Sequence, residues 1–197
     1  MKLSIIMPVR NGEEWVLRAL QSVPKSKDIE IIVIDDCSLD DTYSLVETYS
    51  KYAGKNIRLF RNECRGYASS CINYGIELAH GDYFTQLDCD DYLITKNFLK
   101  LFQLDRTEDV IFFHNEIDSG EIWKPEECEG YCDHVCWYKK SFVGDIRHAF
   151  GKTGTGWQFH RSILAKNPTV FYYKEPVYHY TYPREGSNYD LAKKGLL

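Results

Sequence analysis

Residues 82–93 read Asp-Tyr-Phe-Thr-Gln-Leu-Asp-Cys-Asp-Asp-Tyr-Leu, a run suited to a buried strand that ends in three carboxylates, Asp88, Asp90 and Asp91. Burying a strand does not call for that ending. In an extended segment Asp88 and Asp90 share one face, with Cys89 and Asp91 on the other. Ionised carboxylates held that close raise each other's pKa unless a cation neutralises them, and an all-oxygen set suits a hard divalent ion, Mg²⁺ or Mn²⁺. The implied cargo is a metal carrying phosphates. Short acidic runs also occur as solvated loops after a strand, so this run alone leaves both readings open.

Such residues need a scaffold. Apolar, β-branched runs at Leu3–Met7, Glu30–Ile34, Ile57–Phe60, Tyr83–Leu87 and Val110–Phe113 predict strands. Helical periodicity lies between them at Glu13–Val23, Asp40–Tyr52, Tyr67–Ala79 and Asn97–Leu104, with Asp40 or Asp41 as a cap and His80-Gly81 as a C-terminal stop. Strand alternating with helix predicts right-handed crossovers and an α/β fold with a mostly parallel central sheet flanked by helices. Beyond residue 114 the pattern loosens into an elaboration on the same sheet, with apolar runs at Thr169–Tyr173 and Val177–Tyr182. In such sheets ligands bind beyond the carboxyl ends of the strands. Those ends carry Pro8-Val9-Arg10-Asn11, Asp35-Asp36-Cys37-Ser38, Arg61-Asn62 and Asp88-Cys89-Asp90-Asp91.

The 197 residues, 44% hydrophobic, are expected to form one domain, 1–197, with a nucleotide-binding half at 1–104 and a second half at 105–197. A formal net charge of −5 gives no general attraction to nucleic acid or anionic lipid. The N-terminal apolar run is too short for a signal peptide, and no window is long enough to span a bilayer, so a soluble cytoplasmic protein is expected. Seven cysteines, with Cys37, Cys64, Cys71 and Cys89 scattered, suit reduced thiols. Cys128, Cys132 and Cys136, with His134 among them, make a zinc site conceivable, although the two-residue knuckle spacing is absent. Trp123, Trp137 and Trp157 are placed equally well in a core or against a sugar face.

Four ordered motifs then resemble glycosyltransferase family 2, the large inverting group with the GT-A fold. They are Ser4-Ile5-Ile6-Met7-Pro8-Val9-Arg10-Asn11-Gly12-Glu13-Glu14, then Ile34-Asp35-Asp36-Cys37-Ser38-Leu39-Asp40-Asp41-Thr42. The succession Asn62, Gly66, Asn73, Gly75, Ala79 and Gly81 follows and leads into Asp88-Cys89-Asp90-Asp91. The resemblance implies a nucleotide-sugar donor, most simply a UDP-sugar, and a glycan or other hydroxyl acceptor. It implies that Pro8, Val9, Asn11 and Glu13 border the nucleotide, that Asp36 accepts from the base, and that Asp88 faces ribose or diphosphate. Asp90, with Asp91, would hold Mn²⁺ or Mg²⁺.

Inversion also needs a general base for the acceptor hydroxyl. Where the family carries a Glu-Asp pair, this chain has Thr155-Gly156 in Gly154-Thr155-Gly156-Trp157-Gln158-Phe159-His160-Arg161. Asp145 is the candidate in its place, with His160 as a less usual one; a protein that binds donor without transferring is the other reading. The closing segment Pro176–Asn188 resembles the family's ending, which implies that His179 reaches the metal or the diphosphate and that Arg184 pairs a phosphate. A nucleotidyltransferase would instead need a Gly-rich phosphate loop after the first strand, and Met7-Pro8-Val9-Arg10-Asn11 is not one.

Overall fold

Strand β1 (Leu3–Val9) and β2 (Ile29–Asp35) are buried along their whole length. Strands so nearly apolar on both sides, broken only by Ser4, Glu30 and the terminal Asp35, arise when both faces of a sheet are covered, and here they are. A computed structural model describes residues 1–127, 136–151 and 155–181. Leu3, Ile5, Met7 and Val9 enter one core with α1 (Val16–Ser22), α2 (Thr42–Tyr52) and α4 (Thr95–Phe102). Ile6, one residue out of phase, enters the opposite core with α3 (Tyr67–Leu78), α5 (Lys140–Val143) and α6 (Thr155–Leu164).

The remaining strands among the described residues are β3 (Asn56–Arg61), β4 (Tyr83–Gln86), β5 (Tyr92–Leu93), β6 (Val110–Ile117), β7 (Ile122–Trp123), β8 (Cys136–Lys139) and β9 (Val170–Tyr180). They complete one sheet in the order β3-β2-β1-β4-β8-β6-β9-β5, with β7 paired to β6. The block β3-β2-β1-β4 is parallel, as the alternating pattern predicts. The sheet as a whole is mixed: β8 inserts antiparallel between β4 and β6, and β5 lies antiparallel on β9. The aromatic stretch at 136–142 hid that strand. Trp137 is fully buried and packs edge-on to Phe98 at 5.4 Å and Phe113 at 6.1 Å, so it is core.

Several motif residues turn out to be scaffold. An added Cβ on Gly75 would lie 2.4 Å from Ile6 Cγ2, so α3 sits directly on β1. Gly81 is needed for close approach rather than as a helix stop: its Cβ would meet Ser4 N and Tyr83 O, each at 2.7 Å. Beneath it, Ser4 Oγ donates to the buried Glu30 at 2.6 Å and accepts from the Gly81 N–H at 2.8 Å. Asn73 exchanges two bonds with the His148 backbone, donating to its carbonyl at 2.9 Å and accepting its N–H at 2.8 Å. Asp41 stands at the N-cap of α2 without a side-chain cap bond, and Asp40 beside it accepts from the Thr42 N–H at 3.1 Å.

Candidate active site

The parallel block releases its carboxyl ends at one edge, and the segments after β1 and β2 are laced together there. Arg10 Nη1 donates to the carbonyls of Asp36 at 2.6 Å and Cys37 at 3.0 Å. The Asn11 N–H donates to Ser38 Oγ and Asn11 Oδ1 accepts the Leu39 N–H, both at 2.9 Å, while Glu13 Oε2 accepts the Asp41 N–H at 3.0 Å. Asn11 (φ 47°), Cys37 (φ 58°) and Tyr67 (φ 63°) all occupy the left-handed region at this edge. That conformation costs roughly 1–2 kcal/mol per residue outside glycine, and such strain gathers where backbone is shaped for a task.

Asn11 and Glu13 are exposed on this rim, whereas the side chains of Pro8 and Val9 are buried and offer only backbone to a ligand. Asp36 is also turned inward, at 4% exposure. Its Oδ1 accepts from Asn62 Nδ2 at 2.9 Å and the Gly66 N–H at 2.7 Å, and its Oδ2 accepts the Tyr67 N–H at 3.1 Å. A carboxylate at the first turn of α3 is favourably placed against the helix dipole. Asp36 therefore fastens the segment after β3 to the rim.

After β4 the chain does not stay extended. The Asp91 N–H donates to the Asp88 carbonyl at 3.1 Å, closing residues 88–91 into a turn. Alternation therefore fails to describe the three aspartates. Asp88 and Asp90 are partly exposed, with Asp88 Oδ1 accepting from Gln86 Nε2 at 2.6 Å. Asp91, expected beside nucleotide and metal, is 1% exposed, and its two oxygens are taken by Tyr178 Oη at 2.6 Å and the Thr181 N–H at 2.8 Å. Burial, reinforced by the charges of Asp88 and Asp90, pushes its carboxyl up to about 8. The turn is thus a focus of negative potential built from oxygen donors, which fits a hard divalent ion. Among the described residues no three His, Cys, Asp or Glu side chains converge as a ligand set. Asp88 and Asp90 are the partly exposed carboxylates of that turn.

Of the other expected residues, His179 lies beside the turn, paired across β5 and β9 with Tyr92, whereas Asp145 and His160 do not. His179 is 8% exposed, stacked on Tyr92 at 4.3 Å, with Nε2 3.7 Å from Asp118 Oδ1. Asp145 is exposed in the turn after α5, a helix whose Lys140 N–H donates to Asp82 O ahead of β4, and so it sits toward the opposite edge of the sheet. His160 is 1% exposed, its Nδ1 bonded to Tyr138 Oη at 2.6 Å, and belongs to the core. Arg184, Cys128, Cys132 and His134 lie outside the described residues; Cys136 is buried in β8. A cleft of 590 Å³ lined by Gly81, Tyr83, Lys139 and Lys140 opens at that opposite edge too. Its lysines already donate to the Thr107 and Ala79 carbonyls.

Arg18, Gln86, Tyr178 and Thr181 also surround the turn, and no motif in the sequence assigns them a role there, although Tyr178 and Thr181 lie in the closing segment Pro176–Asn188. Gln86 precedes Asp88 by two residues, a polar side chain at the end of β4 that local pattern can signal. Arg18 and Thr181 both donate to the Asp90 carbonyl from 72 and 91 residues away, and no local pattern signals that.

The profile of glycosyl transferase family 2 matches residues 4–168. An uncharacterised glycosyltransferase of Mycoplasma genitalium is 30% identical over 133 residues, covering 63% of this chain and 45% of that protein. The glycosyltransferase GlyG of Streptococcus pneumoniae is 22% identical over 193 residues, covering 95% of this chain and 62% of its own length. The chain thus spans about half the length of these relatives. Staphylococcus aureus TarS 1–349 in complex with UDP-GlcNAc superposes with a TM-score of 0.81 at 21% identity, over 95% of this chain and 60% of that one. A Pyrobaculum calidifontis mannosyltransferase with GDP-Man and Mn²⁺ gives 0.74 at 14% identity, over 94% and 58%. These likenesses establish the GT-A fold. No described helix is long and apolar enough to cross a membrane.

Proposed function

The chain belongs to glycosyl transferase family 2, and from that premise we propose that it moves a sugar from a nucleoside-diphosphate donor, a UDP-sugar, to an acceptor hydroxyl with inversion. The observation that carries this is the turn at residues 88–91, which presents Asp88 and Asp90 at the carboxyl edge of the parallel block while Asp91 is drawn inside. Asn11 and Glu13 form the rim toward the nucleoside, and Asp36 meets the base. Asp88 and Asp90 bind Mn²⁺ or Mg²⁺, which when bound would offset the charge developing on the departing diphosphate. The neighbours solved with UDP-GlcNAc and with GDP-Man and Mn²⁺ support this reading.

A second reading has its own observation. With Asp145 set toward the other edge and Thr155-Gly156 lacking a carboxylate, donor binding without transfer fits the site equally well. Calorimetric titration with UDP, GDP, CDP and dTDP, in Mn²⁺ and then in EDTA, followed by donor-hydrolysis assays, separates the two. Metal-dependent binding of one diphosphate with slow hydrolysis supports the transferase. Binding without hydrolysis, when a panel of acceptors is also supplied, selects the second reading, and no binding removes both.

A further inference from the structure

The acidic turn is closed by a single backbone bond of its own, Asp91 N–H to the Asp88 carbonyl, and side chains from elsewhere tie its backbone at both ends. At its start the Asp88 N–H donates to Tyr178 Oη at 3.2 Å, and the same hydroxyl donates to Asp91 Oδ2 at 2.6 Å. At its far side the Asp90 carbonyl accepts from Thr181 Oγ1 at 2.6 Å and from Arg18 Nη2, which also donates to Thr181 Oγ1 at 3.0 Å. Beyond the turn, Tyr92 packs against the Arg18 guanidinium, 5.0 Å from its ring centroid, and stacks on His179, 4.3 Å away. One hydroxyl, from the fully buried Tyr178 on β9, thus bridges the first and last residues of the turn.

We propose that Tyr178 is a positioning residue, assisted by Arg18 and Thr181, that pre-forms the turn so that the Asp88 and Asp90 carboxylates stand close together before any cation arrives. This rests on the reading of that turn as the metal-diphosphate site. Two like charges on a short unsupported turn swing apart, and drawing them together again on binding weakens the ion's hold. Tyr178→Phe keeps the ring's packing while removing the acceptor of the Asp88 N–H and a donor to the buried Asp91.

The test measures UDP affinity by calorimetry in Mn²⁺ and in EDTA for wild type, Tyr178→Phe and Arg18→Met, together with exchange of the Asp88 amide proton by NMR. The expected result is a five- to tenfold loss of the Mn²⁺-dependent gain, the effect of about one hydrogen bond, with affinity in EDTA unchanged. Exchange at Asp88 in Tyr178→Phe should rise without ligand present. A Mn²⁺-dependent gain equal to wild type in both variants overturns the proposal, even if their unfolding temperatures fall. Should Tyr178→Phe fail to fold, Arg18→Met decides, because Arg18 is exposed and its loss leaves the cores intact. If wild type itself shows no Mn²⁺-dependent gain, the metal reading falls, and Asp88 exchange alone judges the positioning: faster exchange sustains it and unchanged exchange ends it.

Discussion

At the scale of single residues, three aspartates that look alike in the sequence have different work. Asp90→Ala should abolish metal-dependent nucleotide binding, and unchanged UDP affinity with and without Mn²⁺ would sink the metal assignment. Asp91 behaves as an internal anchor instead. Replacing it with Ala strands the Tyr178 hydroxyl and the Thr181 N–H without their acceptor, which should lower stability by about 1–3 kcal/mol. Asp91→Asn, whose Oδ1 can still accept the Thr181 N–H while its Nδ2 donates to Tyr178 Oη, should retain part of that stability in urea unfolding and keep nucleotide binding. A D91N variant as weak in nucleotide binding as D90A would make Asp91 a ligand after all.

Among the elements, the junction of α3 with the sheet depends on Glu30, which lies on β2 beneath the end of that helix. Burial pulls its carboxyl upward, but hydrogen bonds from Ser4 Oγ, the His80 N–H and Arg58 outweigh it and leave the group below its usual range. A carboxyl lowered in the folded state stabilises at pH values above its unfolded pKa of about 4.3, and that contribution is lost as pH falls through the folded value. Wild type should therefore lose stability between neutral pH and pH 3 more steeply than Glu30→Gln, as read from urea midpoints. Parallel curves for the two proteins would remove Glu30 from the account. Tolerance at Gly75 tests the same junction: Gly75→Ala drives a methyl into Ile6 and should destabilise by about 1–3 kcal/mol.

For the molecule as a whole, β8 is the strand that joins the parallel block to β6 and β9, and Trp137 at its centre packs against α4 and β6. Trp137→Ala should destabilise by about 3–5 kcal/mol, with circular dichroism and tryptophan fluorescence still reporting one transition. Separate transitions would mean that the two halves fold apart. The sequence alone determined the parallel block and its helices, because burial on both faces writes the central strands β1 and β2 as predominantly apolar runs whatever their neighbours are, and β3 still carries Ile57, Leu59 and Phe60. It also marked the edge where polar strand ends meet, since those residues lie next to the strands in the chain. Only the tertiary structure decided that β8 enters between β4 and β6, that Asp145 stands away from the acidic turn, and that Asp91 faces Tyr178. Those outcomes depend on pairings between residues up to 91 positions apart, such as Thr181 with Asp90, and hydrophobic periodicity carries no record of which distant partner a polar group will meet.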